Sequence, residues 1–144
     1  MIIHTDGGSR GNPGQAATGI VVLNDDGKLV YESGQYLGIA TNNTAEYEAV
    51  SRALDWLLQE KKTGHFSTPQ HIVFKLDSQL VVEQLNGRYA VKQPHILLYV
   101  KKIRSLVSSL GFVVEFRHIP RAENAEADAL VNKALDEQHS ANKA

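Results

Sequence analysis

The N-terminal part of the chain has the short apolar segments and intervening turn residues that are typical of β-strands. Apolar and β-branched residues dominate three segments, at positions 1–5, 17–23 and 29–37. The Asp26-Gly27 pair is a strong signal for a hairpin between the second and third segments. Because glycine and proline disfavour strands, we expect the first strand to end at Thr5 and Asp6 to begin a loop. The pattern predicts an antiparallel meander of three strands.

Helical periodicity begins after residues 41–44. Val50, Ala53 and Leu57 recur at intervals of three and four residues, which predicts a helix that runs to about residue 62. The later segments are predicted as a strand at 72–76, a short helix at 80–85, a helix at 94–110, a strand at 112–118 and a helix at about 123–136. A strand–helix–strand connection is almost always a right-handed crossover, so the first and fourth strands should be parallel.

Four acidic residues stand near the ends of these elements: Asp6 follows the first predicted strand, and Glu46, Asp77 and Asp128 lie at the beginnings of predicted helices. Asp6 and Asp77 would lie side by side at the carboxyl edge of the sheet, where α/β folds place their sites. Glu46 lies along the apolar stripe of its helix, and Asp128 lies at the edge of another stripe. Each also has an ordinary structural explanation: a turn for Asp6, a capping box between Asn43 and Glu46, a helix cap for Asp77 and a solvated face for Asp128. Together, four clustered carboxylates would require cations.

Composition limits the possible classes of protein. The chain has 144 residues, of which 42% are hydrophobic, and no cysteine, which excludes a disulfide scaffold, a thiolate zinc site and a cysteine nucleophile. We expect one domain over residues 1–138 and a disordered tail at residues 139–144. With no membrane-spanning apolar run and no signal-peptide pattern, we expect a cytoplasmic protein. The net charge is only −1, but residues 84–114 contain basic residues and no acidic one.

Four motifs, taken together, identify the chain as resembling ribonuclease HI. They are Thr5-Asp6-Gly7-Gly8 with Gly11-Asn12-Pro13-Gly14, then Thr41-Asn42-Asn43-Thr44-Ala45-Glu46, then Asp77-Ser78-Gln79, and His118 ten residues before Asp128. The resemblance covers nearly the whole chain. It implies a five-stranded mixed sheet flanked by helices, with strands 1–3 antiparallel and strands 4–5 parallel. It corresponds to the short form of the family, because residues 87–93 lack an inserted basic helix and no separate hybrid-binding domain is expected.

The resemblance also implies an activity: endonucleolytic hydrolysis of the RNA strand of RNA–DNA hybrids, leaving 5′-phosphate and 3′-hydroxyl ends. Asp6, Glu46, Asp77 and Asp128 would bind two Mg²⁺ or Mn²⁺ ions when substrate is present, and hard cations prefer such oxygen ligands. His118 corresponds to the family's loop histidine, which assists water delivery or product release. Here it is followed by Ile-Pro-Arg rather than by a glycine-containing loop, so Arg121 is the alternative candidate. His4, in contrast, is expected to be a sheet residue.

The substrate is expected to be gripped by amide and basic side chains. The resemblance assigns Asn12, Asn42, Asn43 and Gln79 to the minor groove of the hybrid, and Thr41 to a DNA-strand phosphate. One of Asn42 and Asn43 is also expected to cap the helix. Arg88 and Lys92, in the loop before Pro94, are expected to be free to reach phosphates. A monomer with no small-molecule cofactor and no membrane partner is expected.

Three other functions remain open from the residues alone. A nucleotide-binding protein is disfavoured because no Gly-Lys-Ser/Thr follows the glycine-rich loop, and the next element is a strand. A catalytically weak nucleic-acid-binding module of the same fold and a related metal nuclease acting on another duplex are the remaining alternatives.

Overall fold

A five-stranded mixed sheet forms the centre of the molecule. The computed structural model describes residues 1–143, and the side chains of residues 1–142. The strands are β1 (Ile2–Gly11), β2 (Gly14–Leu23), β3 (Leu29–Ala40), β4 (His71–Leu76) and β5 (Val113–His118). The helices are α1 (Asn42–Lys62), α2 (Gln79–Leu85), α3 (Pro94–Leu110) and α4 (Ala125–Lys143), and a 3₁₀ turn at Arg121–Asn124 precedes α4.

The strand order is β3-β2-β1-β4-β5. The first three strands pair antiparallel, and β4 is parallel to both β1 and β5. This confirms the predicted fold class, including the parallel pairing that the crossover rule required. No helix in residues 1–143 is both long enough and apolar enough to cross a membrane.

The first strand is twice as long as predicted, and the expectation that it ends at Thr5 is wrong. It pairs with β2 from Ile2 through Gly11. A Cβ atom at Gly7 would lie well under 3.0 Å from the backbone carbonyl group of Ala45 in α1. Glycine is therefore present because a helix lies directly against the strand, not because the strand ends. Asp6 consequently lies within β1 rather than at the start of a loop.

Successive residues of β1 face opposite sides of the sheet. Ile3 belongs to the core under α1, whose buried residues include Tyr47, Leu54 and Leu57. Gly8 lies on the other face, where an added Cβ atom would be 3.7 Å from the Val131 side chain of α4. His4 and Asp6 share the face of Gly8, so they lie on the side of the sheet that α4 covers.

Helix caps differ from those predicted. Thr41 caps α1, because its side chain accepts a hydrogen bond from the Thr44 amide at 3.1 Å. The predicted capping role of Asn42 or Asn43 is therefore wrong. Ser78 caps α2 in the same way, accepting from the Val81 amide at 3.3 Å. Glu46 and Asp77 are thus not needed for capping, and their carboxylates are available for other contacts.

The last helix extends beyond its predicted end near residue 136. α4 continues to Lys143, because residues 125–143 contain no glycine or proline and are rich in alanine and other helix formers. Residues 139–143, for which we expected a disordered tail, are part of this helix. Ala144 lies outside the described residues.

Candidate metal centre and active site

A polar cleft of about 410 Å³ opens where β1 and β4 meet the first turns of α1 and α4. Its walls come from five parts of the chain. They include Asp6, Ser9, Arg10, Asn42, Asn43, Glu46, Asp77, Ser78, Arg121, Asp128 and Asn132. The four predicted carboxylates all line this cleft.

Three of the four carboxylates converge. One oxygen each from Asp6, Glu46 and Asp77 lies within 4.8 Å of the other two, which is a spacing that can hold a metal ion. Asp6 lies two residues beyond His4, the last residue of β1 that pairs with β4, and Asp77 directly follows β4. Glu46 lies in the second turn of α1, beside the point where Gly7 allows that helix to approach the strand.

Burial places these acids under electrostatic strain. Asp6 and Glu46 are each only 6% exposed. Burial raises the pKa of Asp6 to about 7; the hydrogen bond with Glu46 opposes this shift, and the charges of Asp77 and Asp128 add to it. Burial and the neighbouring Asp6 charge raise the pKa of Glu46 well above its usual value. A cation bound between them would remove both the repulsion and much of the desolvation cost.

The donor set fits a hard divalent cation. Glu46 Oε2 is buried and has no hydrogen-bond partner among the described residues. An unpaired buried carboxylate oxygen is costly, unless a ligand satisfies it. Oxygen-only ligands with adjacent open space are typical of Mg²⁺ and Mn²⁺ sites. This combination identifies Asp6, Glu46 and Asp77 as candidate metal ligands.

Asp128 stands at the more open side of the cleft. It lies in the first turn of α4, and its side chain is 32% exposed. Asn132 donates to the Asp128 carboxylate at 3.3 Å, and the Arg121 guanidinium lies 3.8 Å from it. Its charge contributes to raising the pKa of Asp6. Asp128 therefore belongs to the same electrostatic cluster as the three convergent acids.

Three of the four predicted amide residues, Asn12, Asn42 and Asn43, lie together at one side of the cleft. Asn42 and Asn43 line the cleft. The Asn42 backbone amide donates to Asn12 Oδ1 at 3.0 Å, and Asn42 Oδ1 accepts from the Ser9 amide at 2.8 Å. These bonds fasten the β1–β2 turn to the start of α1. Thr41 lies in the same segment and caps α1.

The remaining predicted residues lie outside this cleft. Gln79 is the exposed first residue of α2, and His118 is the exposed last residue of β5. Lys92 lines a smaller cleft of about 200 Å³ that shares Asn43 with the first. The expectation that Arg88 is free is wrong, because its guanidinium donates to both oxygens of Glu83, at 2.6 and 2.8 Å.

Several residues of the site escaped the sequence analysis. Arg10, in the glycine motif, lines the cleft and donates to Asp136 at 2.7 Å. Asn132 links Arg10 to Asp128. Asn124 is buried and contacts Asp77. The position of Arg10 between the motif glycines was the one available signal, whereas the roles of Asn124 and Asn132 depend on contacts between distant parts of the chain.

Comparison with known proteins identifies the family. The family model described as reverse transcriptase-like matches residues 4–134. The crystal structure of LC11-RNase H1 in complex with an RNA/DNA hybrid has a TM-score of 0.88 and 42% identity to this chain, and the match covers 95% of this chain and 97% of that one. The chain belongs to the ribonuclease H family. This confirms the resemblance found in the sequence motifs.

Two curated relatives are longer than this chain. The ribonuclease HI of Halobacterium salinarum is 43% identical over 133 residues, covering 92% of this chain and 62% of the relative. A bifunctional protein of Mycobacterium tuberculosis is 42% identical over 137 residues, which cover 94% of this chain. The chain spans only 35% of the length of that mycobacterial relative.

Proposed function

We propose that this chain is a metal-dependent ribonuclease H, an endonuclease that hydrolyses the RNA strand of RNA–DNA hybrids. The observation that carries the proposal is the convergence of one carboxylate oxygen each from Asp6, Glu46 and Asp77, within 4.8 Å of one another. In addition, Glu46 Oε2 is buried and has no hydrogen-bond partner among the described residues. It is supported by 42% identity to a family member that was crystallised with an RNA/DNA hybrid.

The four carboxylates would hold two divalent cations, Mg²⁺ or Mn²⁺, when the substrate is bound. Asp6, Glu46 and Asp77 would supply the convergent oxygens, and Asp128, whose charge acts on Asp6, would supply a further ligand. Two such ions supply Lewis acidity to both the attacking water and the leaving 3′ oxygen in an in-line displacement. The products would carry a 5′ phosphate and a 3′ hydroxyl.

The other residues would bind the hybrid and handle protons. Asn42 and Asn43, held in place through Asn12, would face the minor groove, where 2′-hydroxyls and base edges are displayed. Gln79 would extend that contact, and Thr41 and Lys92 would meet phosphates of the DNA strand. His118 would assist proton transfer or product release from the rim. We further propose that the protein acts as a cytoplasmic monomer without a small-molecule cofactor.

A cleavage assay on three labelled duplexes tests the proposal. RNA–DNA hybrid, duplex DNA and duplex RNA are incubated with Mg²⁺ or with EDTA, and Asp6→Asn is the matched control. We expect cleavage of the hybrid alone, in the RNA strand, only with Mg²⁺ and only by the wild type. Products with 3′-hydroxyl ends should prime DNA synthesis. Hybrid binding without cleavage would indicate a binding module, and cleavage of another duplex would indicate a related nuclease.

A further inference from the structure

Asn124 connects three parts of the candidate metal centre. Its side chain lies in the 3₁₀ turn before α4, and the residue is only 1% exposed. Nδ2 of Asn124 donates to the Thr5 carbonyl at 2.9 Å and to Asp77 Oδ2 at 3.3 Å. Oδ1 of Asn124 lies 3.1 Å from His4 Nδ1. One carboxamide therefore contacts the strand that carries Asp6, the carboxylate of Asp77 and the ring of His4.

The hydrogen bonds determine which way round the carboxamide lies. A backbone carbonyl and a carboxylate can only accept, so the group between them must be the NH₂ of Asn124. The oxygen then faces His4, and His4 must donate from Nδ1. The Nδ1–H group of His4 stabilises this orientation further, because a flipped carboxamide would place acceptor against acceptor at Thr5 and Asp77 and a donor against the Nδ1 hydrogen.

The fold places His4 where this contact matters. His4 is two residues before Asp6 and on the same face of β1, the face covered by the 3₁₀ turn and α4. Thr5 is one residue beyond the last β1–β4 pair, which joins His4 and Lys75. The Asn124 amide therefore lies just beyond the last β1–β4 pair, in contact with the Thr5 carbonyl and with Asp77.

We propose that His4 is a positioning residue for the metal centre, acting through Asn124 on Asp77. The imidazole donates to Asn124 Oδ1, and this keeps Nδ2 directed at Asp77 and Thr5. Hydrogen-bonded partners of metal-ligating carboxylates orient those ligands. The inference rests on the proposed function, because it assumes that Asp77 is a metal ligand. It adds a role to His4, which is a residue of the sheet as expected.

Substitutions at His4 can distinguish its hydrogen bond to Asn124 from the packing of its ring. His4→Phe keeps a ring of similar shape but removes the donor. His4→Asn restores a donor near the position of Nδ1. Val100→Ala, in a buried position of α3 outside the cleft, controls for a general loss of stability. The readout is the rise in melting temperature with MnCl₂ concentration, relative to each variant's own metal-free value, because a ligand stabilises the folded state according to its affinity.

We expect His4→Phe to raise the half-maximal Mn²⁺ concentration about threefold to tenfold, since direct outer-sphere partners typically contribute about 10–100-fold and His4 acts one contact further away. His4→Asn should recover most of that affinity, and Val100→Ala should melt earlier with unchanged affinity. In an Asn124→Ala background, His4→Phe should have no additional effect. Kinetically, His4→Phe should raise the metal requirement for cleavage without changing KM for the hybrid.

Two results would overturn the inference. One is wild-type affinity for Mn²⁺ in His4→Phe. The other is a loss in His4→Asn as large as that in His4→Phe, which would show that the ring itself is needed for packing. If the wild-type protein gained no stability from Mn²⁺ at any concentration, the proposed metal centre itself would be wrong.

Discussion

Arg88 and Glu83 form a two-point ion pair, with the guanidinium donating at 2.6 and 2.8 Å to the two carboxylate oxygens. Glu83 is on α2, and Arg88 follows the end of that helix. This pair neutralises one of the two cations that the sequence had suggested for gripping phosphates. Lys92, which lines the smaller cleft together with Asn43, is therefore the better candidate for a contact with a substrate phosphate.

We therefore expect Lys92→Ala and Arg88→Ala to have different effects on the salt dependence of hybrid binding. Loss of one phosphate contact reduces the slope of log affinity against log salt by about 0.7–0.9, because fewer counterions are released on binding. Lys92→Ala should show this flattening, a severalfold higher KM and nearly unchanged kcat, whereas Arg88→Ala should resemble the wild type. KM measured against KCl concentration checks both variants. The same flattening in Arg88→Ala would mean that phosphate displaces Glu83 from the arginine.

Asp6→Asn should abolish cleavage and leave the fold intact. The substitution is close to isosteric, but it removes a charge from the centre of the carboxylate cluster, on which ion binding depends. We expect a loss of kcat of at least about 10²–10³-fold, the scale of losing a principal electrostatic contribution to catalysis. Circular dichroism and single-turnover kinetics with Mg²⁺ test this. Turnover near the wild-type rate would contradict the metal-centre assignment.

The metal-free protein should lose stability as the pH rises from about 4 to about 8. The folded state holds the pKa of Asp6 at about 7, above the ordinary value of 3.8, so the folded state binds this proton more tightly than the unfolded state does. This contribution to the free energy of unfolding is fully present below pH 3.8 and is lost as the pH rises through about 7. Asp6→Asn should have a flatter profile and melt at a higher temperature than the wild type at pH 8.

Thermal melts in EDTA across this pH range, for the wild type and Asp6→Asn, provide the measurement. The difference in melting temperature between the two should grow with pH. Adding Mg²⁺ should stabilise the wild type more than the variant and should reduce that difference. A difference that is constant with pH would show that the Asp6 carboxyl is not perturbed in the folded state.

His118→Ala should slow turnover without eliminating it. Proton-transfer assistance typically contributes about 10²–10⁴-fold, while the carboxylates would still hold the ions. His71→Ala, at an exposed histidine at the start of β4, is the matched control and should leave kcat unchanged. A wild-type kcat in His118→Ala would show that His118 does not assist proton transfer. Arg121, whose guanidinium lies 3.8 Å from Asp128, would then be the next residue to test for that role.

Gly7→Ala and Gly8→Ala should have different effects on stability, although the residues are adjacent. A Cβ at Gly7 would overlap the Ala45 backbone, which cannot move without displacing α1, whereas one at Gly8 would meet Val131 at an ordinary 3.7 Å. Overpacking of this kind typically lowers the free energy of unfolding by about 1–3 kcal/mol. Because Gly7→Ala would have to displace backbone, we expect its cost to lie at the upper end of that range. Urea unfolding in EDTA measures both variants. Equal stability would mean that α1 shifts freely, contrary to the close packing observed.

The sequence by itself determined the elements, their order and, through the family resemblance, the four carboxylates that line the cleft. Apolar periodicity located the long helices, and α3 matches its predicted bounds of 94–110 because Pro94 and Gly111 mark its ends locally. The family motifs contain Asp6, Glu46 and Asp77 as fixed patterns, so their convergence was predictable. Local signals of this kind depend on neighbouring residues, which the sequence displays directly.

Only the tertiary structure decided what lies opposite each residue. From the sequence alone, Gly7 is interpreted as the end of a strand, whereas the structure shows that it allows α1 to pack against the strand. Arg88 is likewise interpreted as a free cation, whereas the structure pairs it with Glu83. His4 and Asn124 are 120 positions apart, and nothing in the pattern around either residue indicates the other. Hydrogen-bond partners at such separations are selected by the packing of α4 against the sheet, so they follow from the fold and not from local propensity.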